Sequence, residues 1–340
     1  MESVQSVLRG RAGLLFLTRQ DVESLLTMQA TISIVEIALR ELALGRVLMP
    51  QPATFRLPDR GNVHRFASAC VGGEVGAMGF QVLSSHPGDS QERHLPATFG
   101  TLLLNDLDTG APLAMMDATF LRAMRSGATS AIATGCLARK EVHEVVIFGA
   151  GTHARIQLMG VCAVRDVNGA FVLDPDAQAR RRFADQMSKA LDIPIETVAD
   201  VRAAVEMADV IVTATRASQP LFRGEWLRPG VHVNAVGAHA PDARQVDTQT
   251  VRRAKVVTDL SSACLAQAGD LRLPIQEGAI TEEHIHADLG QIVAGLKPGR
   301  EDEDEITLFK SVGLAAQDVA TASHVYDLAR QRGVGKKIDF

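Results

Sequence analysis

No two cysteines stand at C-x-x-C spacing; Cys70, Cys136, Cys162 and Cys264 are isolated from one another. That excludes the common zinc and dithiol motifs, so no metal site is expected, and it reads as a cytoplasmic protein with reduced thiols acting as small apolar residues. No stretch reaches the roughly 18 apolar residues of a membrane span, and no membrane association is expected. Met1–Gly13 is mixed and partly basic, and no apolar core with a small-residue cleavage site follows it, unlike a secretory signal. A surplus of positive charge is lacking too. Lys and Arg number 35 against 40 Asp and Glu, both signs are interspersed, and the formal net charge is −5, which argues against a nucleic-acid partner. Internal repeats and long linkers are absent. What is present is 340 residues, 46% of them apolar, which exceeds what one hydrophobic core usually serves and points to two domains.

The pattern along the chain changes twice. Apolar residues recur at helical spacing over residues 18–46 (Val22, Leu25, Leu26, Ile32, Val35, Ala38, Leu42), with Thr18 or Asp21 as N-cap and Gly45 as a stop. Short alternating runs follow at Ala53–Leu57, Val63–Ala69, Gly79–Ser84 and Thr98–Asn105. They are separated by Pro58-Asp59-Arg60-Gly61, His86-Pro87-Gly88-Asp89 and, after the last, Asp108-Thr109-Gly110, and read as an antiparallel sheet. Phe120–Arg139 is again helical. The second half alternates strand and helix: Glu144–Phe148, a helix, Ala170–Leu173, the helix Ala177–Leu191, then strands at Asp209–Thr213, Val231–Val236 and Lys255–Asp259. That rhythm predicts a doubly wound parallel sheet. Val312–Leu328 is a final helix, and the acidic run Gly299–Glu305 reads as a solvated loop.

One motif carries chemistry. Val145-Val146-Ile147-Phe148-Gly149-Ala150-Gly151-Thr152-His153-Ala154 has the G-x-G-x-x-A form, with a strand before it, a helix after it and Asp174 closing the next strand. Gly149 permits the tight turn, Gly151 lets a pyrophosphate approach the backbone, and Ala154 lets the helix pack against the sheet. Thr152 and His153 open the helix, whose free N–H groups and dipole suit phosphate. Asp174 can accept bonds from the adenosine ribose hydroxyls, which favours NAD; Arg180 to Arg182 keep NADP open. Thr213-Ala214-Thr215 and Ala235-Val236-Gly237 end later strands, and carboxyl ends of strands line the ligand crevice of such sheets.

Further motifs resemble the ornithine cyclodeaminase/mu-crystallin family. They are Thr109-Gly110-Ala111-Pro112-Leu113-Ala114-Met115-Met116-Asp117, Arg125-Ser126-Gly127-Ala128-Thr129-Ser130-Ala131, Val236-Gly237-Ala238-His239-Ala240-Pro241-Asp242 and Thr307-Leu308-Phe309-Lys310-Ser311-Val312-Gly313-Leu314-Ala315. The resemblance implies an α/β protein in which a Rossmann-type domain (126–313) is inserted into a second α+β domain (1–125 plus 314–340) that binds substrate and forms a homodimer through its sheet. It implies a small amino or imino acid as ligand, and adds Thr129, Ser311 and Gly313 to the residues expected at the cofactor. Arg125 stands at the position that holds the substrate carboxylate, a task its planar fork suits.

The chain also departs from the family pattern. The position of a catalytic lysine carries Gln81, which cannot titrate near neutral pH. The aspartate of the glycine loop is His239, which can. A second arginine is missing from Pro50-Gln51-Pro52-Ala53, where Arg56 or Arg65 could compensate. Cyclodeaminase chemistry relies on both altered positions. Imine reduction needs only a proton donor beside the incoming hydride, which His239 could provide; His86 is a weaker candidate. The expected activity is therefore an NAD(P)H-dependent reductase of a small imino or keto acid, or the reverse dehydrogenase, with Gln81 and His239 as catalytic positions. An amino-acid cyclodeaminase using bound NAD and a non-catalytic dinucleotide- or ligand-binding protein are the alternatives. Phe55, His64 and Phe66 are expected near the substrate side chain.

Overall fold

The computed structural model describes residues 13–57, 61–86, 96 and 98–339. Residues 1–12 and the expected turn residues Pro58-Asp59-Arg60 and Pro87-Gly88-Asp89 lie outside the described residues. The chain divides into two compact units: Met1–Thr27, Leu44–Arg122 and Ala315–Phe340 form one, and Met28–Ala43 with Ala123–Leu314 forms the other.

The single helix expected over residues 18–46 is two helices, Arg19–Leu25 and Met28–Ala43, and they belong to different units. Thr18 caps the first: its hydroxyl accepts from Asp21 N, and the Asp21 carboxylate accepts from Thr18 N at 2.8 Å. Leu26 is in extended conformation and ends that helix. The second helix buries Ile32, Val35 and Leu39 and packs on the short helix Leu289–Val293, whose Gly290 lies against the Leu39 carbonyl, so it leaves the unit in which sequence order placed it. An amphipathic stripe shows that a helix has a partner, not which one.

The first unit holds an eight-stranded sheet. Its path runs Lys336–Asp339, Gly13–Leu17, Pro112–Asp117, Thr98–Asp106, Ala77–Ser85, Asn62–Val71 and Val47–Leu48, with Ala53–Leu57 also pairing on Asn62–Val71. The four expected strands pair antiparallel, while Gly13–Leu17, a strand not expected from the sequence, runs parallel to Pro112–Asp117. That strand, Gly-Leu-Leu-Phe-Leu, is apolar throughout and gives no alternation to read. Its other neighbour, Lys336–Asp339, is exposed along its whole length, and the two lysines at this edge suit a strand that must not recruit another chain. The helix Ala315–Arg332 lies on one face of this sheet and packs beside Gly79, where a Cβ would stand 2.7 Å from the Leu103 carbonyl oxygen and 3.4 Å from Val319 Cγ2.

The second unit is a doubly wound sheet of eight strands, all parallel. Their order is Ile195–Thr197, Gly169–Leu173, Glu144–Phe148, Val210–Thr213, His232–Ala235, Ile306–Lys310, Ala254–Thr258 and Ile285–Asp288. Both faces are covered. Val145 and Ile147 pack with Val161, Phe183 and Met187, while Val146 and Phe148 pack with Val205, Phe222 and Val251. This is why Glu144–Phe148 reads as a continuous apolar run. The chain reverses direction of winding at Glu144–Phe148, whose neighbours are the second and fourth strands in sequence, and the fingerprint loop leaves from its carboxyl end. Among the described residues no single helix is long and apolar enough to cross a membrane.

One buried histidine sets a pH limit on this unit. His232 is fully buried in its strand, with Nδ1 2.9 Å from Thr307 Oγ1. The Thr307 hydroxyl donates to the Leu137 carbonyl at 2.9 Å, so Nδ1 donates to Thr307 and carries the proton of a neutral ring. Burial pushes its pKa down from 6.5 to about 3. Below pH 6.5 the unfolded chain binds a proton that the native chain refuses, so this stability is complete above pH 6.5 and is lost as pH falls toward 3. Roughly 3 kcal/mol is expected to disappear between pH 7 and pH 4. Urea titrations of wild type and His232→Gln at both pH values check this; equal losses in the two proteins would sink it.

Candidate functional site

The fingerprint loop is a cradle built from backbone. Gly149 has φ +109°, and a Cβ there would lie 2.5 Å from the Ala214 carbonyl oxygen, so the turn admits no side chain. At Gly151 a Cβ would meet no atom within 4 Å, which leaves open space over the loop. Gly151 is also the N-cap of the helix Thr152–Cys162 and brings no side-chain cap, so the first-turn N–H groups keep their hydrogen-bonding capacity. Thr152 and His153 are exposed at this end, and Ala154 is fully buried beneath it. Arg155 braces the loop from the helix side. Its Nη1 donates to the Ala150 carbonyl at 2.6 Å, its Nη2 donates to Gln186 at 2.8 Å, and its guanidinium lies 5.1 Å from the centre of the Phe183 ring.

Asp174 stands at the end of the neighbouring strand. Its Oδ2 accepts from Ala150 N at 3.0 Å and its Oδ1 from Asp176 N at 2.9 Å. Both oxygens are thereby aimed, and each keeps a lone pair for a ligand hydroxyl. Of the nearby cations, Arg180 donates to the Asp174 carbonyl and Arg182 lies 3.9 Å from the Asp176 carboxylate. These residues fit a dinucleotide whose ribose keeps its free hydroxyls.

Beyond the loop, the carboxyl ends of the strands are tied together by buried polar groups. Gln245 Nε2 donates to Thr215 O and Oγ1 and to Ala217 O at 2.8, 2.9 and 3.0 Å, and Gly237 lies directly against that amide. Thr213 and Val236 are buried and Ala214 is half-buried. Beneath them Lys310 and Asp270, both fully buried, form an ion pair at 2.7 Å. Lys310 Nζ also donates to the Ala238 carbonyl at 2.7 Å, and Asp270 Oδ1 accepts from Gln245 N and Val246 N at 2.6 and 3.2 Å. One ion pair therefore anchors both ends of the loop that presents His239, which is itself exposed.

A second carboxylate organises the turn after Lys310. Buried Asp259 Oδ2 accepts from Ser311 Oγ, Val312 N and Gly313 N at 2.7, 2.9 and 2.7 Å. Ser311 and Gly313, expected at the cofactor, thus commit their donors to Asp259, and Thr129 donates its hydroxyl to the Arg125 carbonyl at 2.7 Å. This turn also delays the last helix, which begins at Ala315 rather than at Val312. Gly313 has φ +80°, and a Cβ on it would stand 2.6 Å from Arg125 Nη1. The Arg125 guanidinium therefore rests on bare backbone, and the side chain is only 4% exposed.

Gln81 lies in the other unit, in the strand Ala77–Ser85, and is 7% exposed. Its Nε2 donates to Asp318 Oδ2 at 2.5 Å. Arg56, by contrast, lies on an exposed strand, and Arg65 is half-buried on the strand beside it. His64 Nδ1 lies 2.9 Å from Ser84 Oγ, and its ring stands edge-on to His86 at 5.6 Å. Phe55 and Phe66 pack edge to face at 5.5 Å but are more than a third exposed, on the face away from Gln81.

A family model described as the ornithine cyclodeaminase/mu-crystallin family matches residues 14–333. The chain belongs to the ornithine cyclodeaminase/mu-crystallin family. It is similar to an alanine dehydrogenase of Archaeoglobus fulgidus, with 36% identity over 96% of this chain and 98% of that protein. The Δ1-pyrroline-2-carboxylate reductase of Thermococcus litoralis, solved in complex with NADH and L-proline, shares 42% identity at a TM-score of 0.92, covering 96% of this chain and 100% of that one. An archaeal alanine dehydrogenase dimer with bound NAD shares 34% identity at a TM-score of 0.90, over 96% and 99% of the two chains. Within the family frame, sequence reasoning missed Arg155, Asp259, Asp270, Lys310 and Asp318. Lys310 gave a signal, since a lysine closing the largely apolar segment Ile306–Phe309 must find a counter-charge if both faces of its strand are covered.

Proposed function

We propose that the chain is a nicotinamide-dependent oxidoreductase that reduces the C=N or C=O carbon of a small imino or keto acid, or runs the reverse amino-acid dehydrogenation. The observation that carries this reading is the open cradle over Gly151 with Asp174 aimed beside it. Relatives that are reductases and dehydrogenases of imino and amino acids support it. Asp174 favours NADH over NADPH, because a 2′-phosphate would meet a like charge while Arg180 and Arg182 are already engaged.

When bound, the dinucleotide supplies the hydride. The N–H groups opening the helix Thr152–Cys162 bind its phosphates, and Asp174 accepts from its ribose. Arg125 takes the substrate carboxylate, its fork held in place by Gly313. His239, on a loop anchored at both ends, delivers the proton that the substrate nitrogen needs. Purified protein is expected to oxidise NADH with cyclic imino acids, or with keto acids plus an amine. Arg125→Leu should lower kcat/KM about 10²-fold while leaving the NADH Kd within twofold. An absence of turnover across the panel, with unaltered acid binding in Arg125→Leu, refutes this function.

The partner surface we assign to a second copy of this chain is the sheet face opposite the helix Ala315–Arg332. The strand registers align Phe16, Met115, Leu103 and Phe80 side by side, with Phe66 and Phe99 on the same face. Phe80 is 48% exposed, and a contiguous apolar face of this kind marks an interface. The archaeal alanine dehydrogenase relative is a dimer. Sedimentation of wild type is expected to give twice the chain mass, and of Phe80→Glu/Met115→Glu a folded monomer; a monomeric wild type overturns the assignment.

A further inference from the structure

We propose that Arg155 is the positioning residue of the dinucleotide cradle: it turns the Ala150 carbonyl away from the pyrophosphate, so that the Ala150–Gly151 peptide meets the phosphates with its N–H. The proposal rests on the dinucleotide binding proposed above and not on which acid is turned over. Side chains on a helix lean back over the turn before them, and Arg155, the fourth residue of the helix Thr152–Cys162, reaches back to the loop. Its Nη1 donates to the Ala150 carbonyl at 2.6 Å. The main-chain ladder of the helix starts one residue later, with Arg155 N donating to Gly151 O at 3.2 Å, and leaves the Ala150 oxygen to the side chain. The far side of the guanidinium is fixed as well. Nη2 donates to Gln186 Oε1 at 2.8 Å, and the group lies 5.1 Å from the centre of the fully buried Phe183 ring. Both contacts come from the helix Ala177–Leu191, so one helix holds the arginine that holds the loop of another.

A trans peptide sets its C=O and its N–H on opposite sides. Fixing the Ala150 oxygen on the side of Arg155 therefore fixes the Gly151 N–H on the other. That N–H donates to no described residue, and Gly151 is exposed. The other polar atom of Ala150 is held too, since Ala150 N donates to Asp174 Oδ2 at 3.0 Å. With both atoms committed, neither peptide that adjoins Ala150 is free to turn. Successive backbone N–H groups make a concavity that binds anions, and a carbonyl oxygen turned into it would repel one. Arg155 acts through the loop, by keeping that oxygen out.

The test compares wild type, Arg155→Met and Arg155→Lys. The probes are NADH, ADP-ribose, which keeps the pyrophosphate, and adenosine, which keeps the ribose diol that Asp174 accepts from and carries no phosphate. Arg155→Met is expected to weaken NADH and ADP-ribose about 10- to 100-fold, the range for a hydrogen bond made by a charged group, and to leave adenosine within about twofold. Arg155→Lys keeps a donor for the Ala150 carbonyl and should recover most of the loss. Titrations are repeated at high salt, where the mere absence of a positive charge is screened. In wild type the Gly151 amide resonance should move downfield with ADP-ribose and stay in place with adenosine, a reading that needs no variant. Equal weakening of ADP-ribose and adenosine, a loss that disappears at high salt, or a Gly151 resonance that ADP-ribose leaves in place overturns the proposal and leaves dinucleotide binding standing. A wild type that binds neither NADH nor ADP-ribose overturns both.

Discussion

Lys310→Met is expected to destabilise the protein by about 3–5 kcal/mol, the usual cost of leaving a buried charge uncompensated. Lys310 and Asp270 have no exposed surface, so bulk solvent does not reach their 2.7 Å pair. A domain's whole stability is on the order of 5–15 kcal/mol, so the variant should lose much of it. The loss belongs to the orphaned carboxylate rather than to the missing attraction. Lys310→Met/Asp270→Asn removes both charges and keeps an oxygen for Gln245 N and Val246 N, so it should recover most of the stability. What the double variant does not recover is the Lys310 bond to the Ala238 carbonyl. Amide exchange across residues 238–244 should therefore stay faster than in wild type. Urea denaturation of the three proteins decides the first point. A double variant no more stable than Lys310→Met sinks it.

Gly149→Ala is expected to weaken NADH binding more than a hundredfold, and also to lower the melting temperature. The backbone at φ +109° costs an alanine on the order of 2 kcal/mol, and its methyl group would stand 2.5 Å from the Ala214 carbonyl, a backbone atom that cannot swing aside. The loop must move, and the cradle moves with it. Gly151→Val provides the contrast. Its side chain meets open space, so the fold should keep its melting temperature while the added volume occupies the place of the pyrophosphate. Titration of NADH fluorescence alongside thermal melts separates the two. Identical melting temperatures for wild type and Gly149→Ala would show that the turn is not strained by a side chain.

These two experiments also mark where the sequence was legible. The fingerprint could be read because its parts are local: strand, loop, helix and Asp174 fall within thirty-odd residues, and each residue type has one steric or electrostatic reason to be there. The parallel order of the second sheet followed from the alternation of strands and helices. Pairings over long separations could not be read. Gly13–Leu17 finds both of its neighbours far along the chain, and Lys336–Asp339 is too polar to announce a strand. Lys310 and Asp270 are ordinary charges until a fold buries them, and Gln81 and Asp318 stand 237 residues apart. The departures at Gln81 and His239 were visible as departures, whereas the burial of Gln81 against Asp318 was not.

The placement of the helix Ala315–Arg332 also has a consequence for synthesis. Seven of the eight strands of the first sheet leave the ribosome before Arg122, yet the helix that covers one of their faces follows only after residues 123–314. At ordinary translation speeds that interval is on the order of ten seconds or more. Through it the nascent chain carries an uncovered apolar sheet face while the dinucleotide domain is still being made. Chaperone capacity in the producing cell, rather than the stability of the finished fold, is then expected to set the yield of soluble protein.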